Sequence, residues 1–169
     1  MKKTLKLITT TLIILILATT AFMLTACRGG ADTPERAAEN LINALSRQSS
    51  RRIANVLGLE DEERDEFIER WEEKNAAPDA NAPRAERDKF RHRQDEFRSL
   101  NFINFVGRTV AATENDASGT ATFSFRQINH LGDTATLERS VLLNFIRGES
   151  GRWYSAETNI TAIEGAMGR

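Results

Sequence analysis

The 169-residue chain carries one thiol, at Cys27. A positive start from Lys2, Lys3 and Lys6 precedes it, followed by an apolar run over residues 7–17 rich in Leu and Ile. The small residues Thr25 and Ala26 stand directly before the cysteine. A positive n-region, an apolar stretch and small residues before a cut compose an export leader. A thiol at the cut is a nucleophile, and its alkylation gives a thioether. Other reactive side chains are scattered. His92 and His130 are the only histidines, and neither has a histidine or cysteine at ligand spacing, so no metal site is expected. Gly148-Glu149-Ser150-Gly151 lacks the G-x-S-x-G spacing of a serine nucleophile and reads as a hairpin turn. Asn159-Ile160-Thr161 matches a glycosylation sequon inside a segment expected to be a strand, where chance is the better account. No catalytic residue and no cofactor is indicated.

Leu24-Thr25-Ala26-Cys27 resembles a bacterial lipobox. The resemblance implies cleavage between Ala26 and Cys27, a diacylglycerol thioether on Cys27, and a further acyl chain such as palmitate on the new amino terminus. Each buried methylene contributes about 0.8 kcal/mol, and one chain alone holds only marginally. Two or three chains would hold the protein almost permanently. Membrane lipid is thus the expected partner of Cys27. The expected location is the extracytoplasmic side of the cell membrane or the outer membrane. Arg28 stands where the inner-membrane-retained class of lipoproteins carries aspartate, and the choice of membrane stays open. An uncut anchor is the competing reading, because residues 7–26 match the ~20 apolar residues that span a bilayer. The threonines at 9, 10, 11, 19, 20 and 25 weaken it.

With a single cysteine, no intramolecular disulfide can form, and the core must assemble by packing alone. The length after Cys27 suits one domain. The whole chain has a net charge of −1, and losing three leader lysines makes the remainder more acidic. Nucleic-acid binders leave a basic footprint, so no nucleic acid is expected.

The elements that position these residues follow in order. Residues 28–32 read as a short tether beyond the lipidated cysteine. Thr33-Pro34 opens a helix, with threonine as N-cap and proline at the first helical position. Ala37, Ala38, Leu41, Ile42, Ala44 and Leu45 recur at helical spacing. A second short helix with Ile53, Val56 and Leu57 stops at Gly58. Residues 59–77 form an acidic helix with Phe67 and Trp71 on one face. Two prolines in residues 76–83 break it, and residues 84–100 form a basic helix anchored by Phe90, Phe97 and Leu100. Opposite charges suggest an antiparallel hairpin over residues 59–100, sealed by its aromatics, against two solvated helices with ordinary mixed faces, and partner docking is one role for the hairpin. Strands follow over residues 102–113, 120–128, 134–147 and 152–163, with turns at residues 114–119, 129–133 and 148–151. Alternation in the second strand puts Ala121, Phe123 and Phe125 on one face. In the third it groups Ala135, Leu137, Val141, Leu143 and Phe145. Arg139 falls in phase with that apolar set. Its two readings are a buried cation at a pocket mouth or a side chain turned outward by a bulge or sheet edge.

Helices first and a meander after is an α+β order. The run from Thr33 to Leu45, together with Gly151-Arg152-Trp153-Tyr154, looks like parts of small bacterial lipoproteins with a cystatin-like or NTF2-like domain. The likeness covers residues 33–58 and 100–163, not the charged segment between. It implies one α+β domain over residues 33–165, with N-terminal helices packed on a curved four-stranded antiparallel meander and the charged helical hairpin inserted. It also implies that the sheet curls around the long helix and can leave a cone-shaped pocket. Pocket-lining candidates are Phe123, Phe125, Arg139, Val141, Leu143, Trp153 and Tyr154. Enzymes of the NTF2-like group use a polar dyad in that pocket, and the strand candidates are Arg108, Arg126, Glu138, Arg139 and Glu157. Trp153 and Tyr154 face opposite ways, one into the core and the other toward a pocket or dimer surface.

Three functions follow. A non-enzymatic anchored domain binding a small apolar ligand or an envelope protein predicts a roomy pocket without a titratable pair. A structural or accessory subunit of an envelope complex predicts a filled core beside an exposed apolar sheet face. An enzyme predicts a deep pocket with two convergent polar side chains.

Overall fold

The computed structural model describes residues 30–108, 115–128 and 132–168. Its elements are helices α1 (Pro34–Ser46), α2 (Ser50–Leu57), α3 (Asp61–Lys74) and α4 (Arg84–Arg98), strands β1 (Asn101–Arg108), β2 (Asp116–Ile128), β3 (Thr134–Arg147) and β4 (Trp153–Ser155), and helix α5 (Thr158–Ala166). The strands form one antiparallel sheet in the order β1-β2-β3-β4. The α+β architecture, helices packed on a four-stranded meander, is as the sequence predicts. None of the described helices is long and apolar enough to cross a membrane.

The long helix forms as its residues dictate. Thr33 is extended, and its Oγ1 accepts the Arg36 N–H at 3.1 Å, which caps a donor the helix leaves open. The six apolar residues at helical spacing are all buried. They pack α1 across β1, β2 and β4. Opposite them lie the odd-numbered residues of the central strands. Ala121, Phe123, Phe125, Leu143 and Phe145 are each at most 1% exposed. The register pairs odd with odd throughout β2 and β3, with no slip, so the odd face is core from Ala117 to Phe125 on β2 and at Leu143 and Phe145 on β3.

Three expectations need correction. Residues 152–163 are not one strand: β4 ends at Ser155 and α5 begins at Thr158. Ile160, Ile163 and Met167 are buried, and their spacing of three and four is that of a helix face. The supposed turn at residues 114–119 contains the start of β2. Gly119 lies in the ladder because the Phe105 ring covers it, and a Cβ there would stand 2.2 Å from the ring's Cζ. The tether is also shorter than expected. Ala31 is 4% exposed and exchanges two backbone hydrogen bonds with Trp153.

The charged helices form where expected, but their ion pairs run elsewhere. Lys74 at the end of the acidic helix reaches Glu164 of α5 at 2.7 Å. Arg93 of the basic helix reaches the same carboxylate at 3.5 Å. Arg70 reaches Glu157 at 3.7 Å. Exposed ion pairs contribute only about 0–1 kcal/mol. Phe67 and Trp71, stacked at 6.1 Å, dock α3. Phe97 and Leu100 dock the end of α4, and Phe90 is only half-buried. A basic residue from each helix thus meets one nearly buried acid of α5.

Asn159 closes the free edge of β3. Its Oδ1 accepts the Asn144 N–H at 2.9 Å, and its Nδ2 donates to the Asn144 carbonyl at 2.6 Å and to Ser155 Oγ at 2.9 Å. One side-chain amide thus satisfies the Asn144 N–H where β4 has already ended, and it shares the Asn144 carbonyl with the Ala156 N–H at 3.1 Å. The side chain is fully buried, which makes it unfit as a glycan acceptor.

Candidate functional site: the open face of the sheet

The residues expected to line a pocket divide between core and surface. Phe123, Phe125 and Leu143 are at most 1% exposed and fill the space under α1. The cone-shaped pocket has no room there. Val141 and Trp153 are half-buried and pack against the same core. Arg139 is exposed, and its Nη1 donates to the Glu138 carbonyl at 2.9 Å. The buried-cation reading is thereby corrected. The β2–β3 register runs without a bulge past Arg139, so its position on the open edge beyond β4 turns it outward. Of the seven, Tyr154 lines a described hollow, beside Gly58, Glu60 and Ser150.

Arg126, Glu138 and Glu157 are exposed. Arg108 ends β1 opposite Ser118. Ala26, Cys27 and His130 lie outside the described residues. His92 is half-buried on α4 and lines an open groove of about 950 Å³ with Lys74, Lys89, Arg93, Ile128 and Glu164. Among the described residues, no three of His, Cys, Asp and Glu are grouped to hold a metal.

The other side of the sheet is different. Even-numbered residues of β2 and β3 point away from the helices, and every even residue of β3 is exposed. Val106 is 67% exposed, Leu142 58% and Ile146 54%. Val106 pairs with Thr120, which pairs with Leu142, so these three make one row across three strands. The next row is Asn104, Thr122 and Ser140, with the last two hydroxyls 3.0 Å apart. Ser118 and Asn144 continue the β2–β3 ladder on the other side. Charge returns at Arg108, which pairs with Ser118 at the end of β1, at Glu138 toward one end and at Asp116 toward the other. In a chain of 28% charged residues, this centre of apolar and hydroxyl side chains stands apart.

Sequence reasoning named none of these residues as a site. The signal was present: Leu142 and Ile146 fall out of phase with the buried set of β3, at positions where an exposed strand face is ordinarily polar. Ile103, 41% exposed, sits at the register shift between Phe102 and Asn104.

No family model matches the chain, and no curated protein matches it either. One solved structure, a chain described as a calcium/calmodulin-dependent protein kinase II association domain from Xanthomonas campestris, is similar at 10% identity. The match covers 68% of this chain and 74% of that one, with a TM-score of 0.35.

Proposed function

We propose that this protein is a lipid-anchored, extracytoplasmic NTF2-like domain with a structural role, docking on a second copy of itself through the outer face of its sheet. The observation that carries the docking is the pair of uncharged rows Val106–Thr120–Leu142 and Asn104–Thr122–Ser140. A two-fold interface brings each surface against its own copy. A charged face would meet like charge there, and a neutral one does not. The filled core favours docking over a small apolar ligand, because Phe123, Phe125 and Leu143 occupy the space a ligand would need. The anchor rests on the leader and on Cys27 in its lipobox setting.

The mass of the chain extracted from membranes in mild detergent tests the docking. A dimer that falls to monomer in Val106→Asp/Leu142→Asp supports it. A monomer at micromolar concentration overturns it, and a stable complex with a different envelope protein on the same face replaces the second copy. A mature amino terminus with acyl groups on Cys27 supports the anchor, and an intact Met1 terminus or a bare Cys27 thiol overturns it.

A further inference from the structure

The start of the domain is clamped rather than loose. The Ala31 N–H donates to the Trp153 carbonyl at 2.9 Å, and the Trp153 N–H returns to Ala31 at 2.8 Å. Arg152 donates from Nη1 to the Gly30 carbonyl at 3.3 Å and approaches Asp32 at 3.7 Å. The Tyr154 ring crowds Gly30, Gly58 and Gly148 together, and a Cβ on any of the three would lie within 2.8 Å of it. Gly30 and Gly58 also hold positive φ, of 102° and 74°, a region that glycine occupies without strain. One aromatic thus seats the start of the domain, the end of α2 and the β3–β4 hairpin.

This clamp sets a length. Cys27 and Gly30 are three residues apart, and an extended chain spans at most ~3.6 Å per residue, or roughly 11 Å. An anchor at Cys27 therefore keeps the clamped end of the sheet beside the headgroups, at most roughly 11 Å of chain from the acylated residue. We infer that the hairpin end of the sheet, formed by Arg147, the turn at residues 148–151 and Trp153, rests on the phospholipid headgroups of the membrane that holds the anchor. This inference rests on the lipid-anchor reading above.

The chemistry of that end suits headgroups. Arg147 lies over the Trp153 ring, 5.9 Å from its centroid, and its Nε donates to the Gly151 carbonyl at 3.0 Å. An indole beside a guanidinium is the pairing of apolar body and polar tip that collects at membrane interfaces. Asp32, Glu60 and Glu149 offset Arg147 and Arg152 around it. The surface is not basic, so the partner is a zwitterionic headgroup layer rather than an anionic lipid cluster. From Arg147, β3 rises to Thr134 over 14 residues, about 45 Å at ~3.3 Å per residue. The domain then stands on its hairpin, and the open face of the sheet looks sideways along the membrane toward a neighbouring anchored copy.

Fluorophores on Ser150→Cys and on Thr134→Cys, in the acylated full-length product reconstituted into phosphatidylcholine vesicles, test this. The vesicles carry a quencher on their headgroups, and the mass of the amino terminus is read first. The expected result is loss of emission at position 150 and none at position 134, unchanged when anionic lipid or salt is added. A flexible Gly/Ser spacer of about ten residues between Gly29 and Gly30 is expected to remove the quenching at position 150. Equal quenching at both positions, or no effect of the spacer, overturns the inference while leaving an acylated Cys27 intact. A bare thiol at Cys27 overturns the anchor reading and this inference with it.

Discussion

The two faces of one sheet have opposite fates. On the inner face, Phe123, Phe125, Leu143 and Phe145 are sealed under α1 and its neighbours. On the outer face, Val106, Leu142 and Ile146 stand more than half exposed. Both faces carry large apolar residues, and burial alone separates them. The inner face spends its hydrophobicity on folding. The outer face keeps a central apolar and uncharged polar surface that folding does not use, and the proposed docking rests on it.

Substitutions on the two faces should therefore separate stability from association. The largest expected effect is Phe123→Ala, which removes a fully buried ring and should cost about 3–5 kcal/mol, read as a lower denaturant midpoint with an unchanged slope. Next comes Asn159→Ala. It strips the partner from the Asn144 N–H, while the Asn144 carbonyl keeps the Ala156 N–H at 3.1 Å, and leaving one such group unpaired costs about 1–3 kcal/mol. A rise in amide exchange at Asn144 and Ser155 would locate the damage. Gly119→Ala puts a methyl group into the Phe105 ring, and overpacking of this kind costs about 1–3 kcal/mol. Pairing it with Phe105→Ala should relieve the clash, so the double variant should lose less than the sum of the two. The smallest effect on folding belongs to the outer face. Val106→Asp and Leu142→Asp should each stay within about 0.5 kcal/mol of wild type in monomer stability, as surface changes do, while abolishing self-association. If either destabilises the monomer as much as Phe123→Ala, the contrast between the faces fails.

Much of the inner face was legible in the sequence. The alternation in residues 120–128 and 134–147 named its residues, and Thr33-Pro34 marked the first turn of α1. Composition could not say whether helices would fill the space above the sheet, and so the core phenylalanines read equally well as pocket lining. The α5 helix was hidden because Trp153 and Tyr154 favour a strand, and the helical spacing of Ile160, Ile163 and Met167 straddles the end of the segment assigned to it. Gly119 read as a turn because the residue that covers it, Phe105, comes from another strand. The charged helices were found, but charge sign alone does not identify a partner. Glu164, which receives Lys74 and Arg93, lies far along the chain in an element not recognised as a helix.

The thermal midpoint of the chain at two concentrations a hundredfold apart tests the docking face most directly, since association that favours the folded state makes stability depend on concentration. A midpoint that rises with concentration in wild type and stays fixed in Val106→Asp/Leu142→Asp is the predicted result. A wild-type midpoint that does not move between the two concentrations would contradict it.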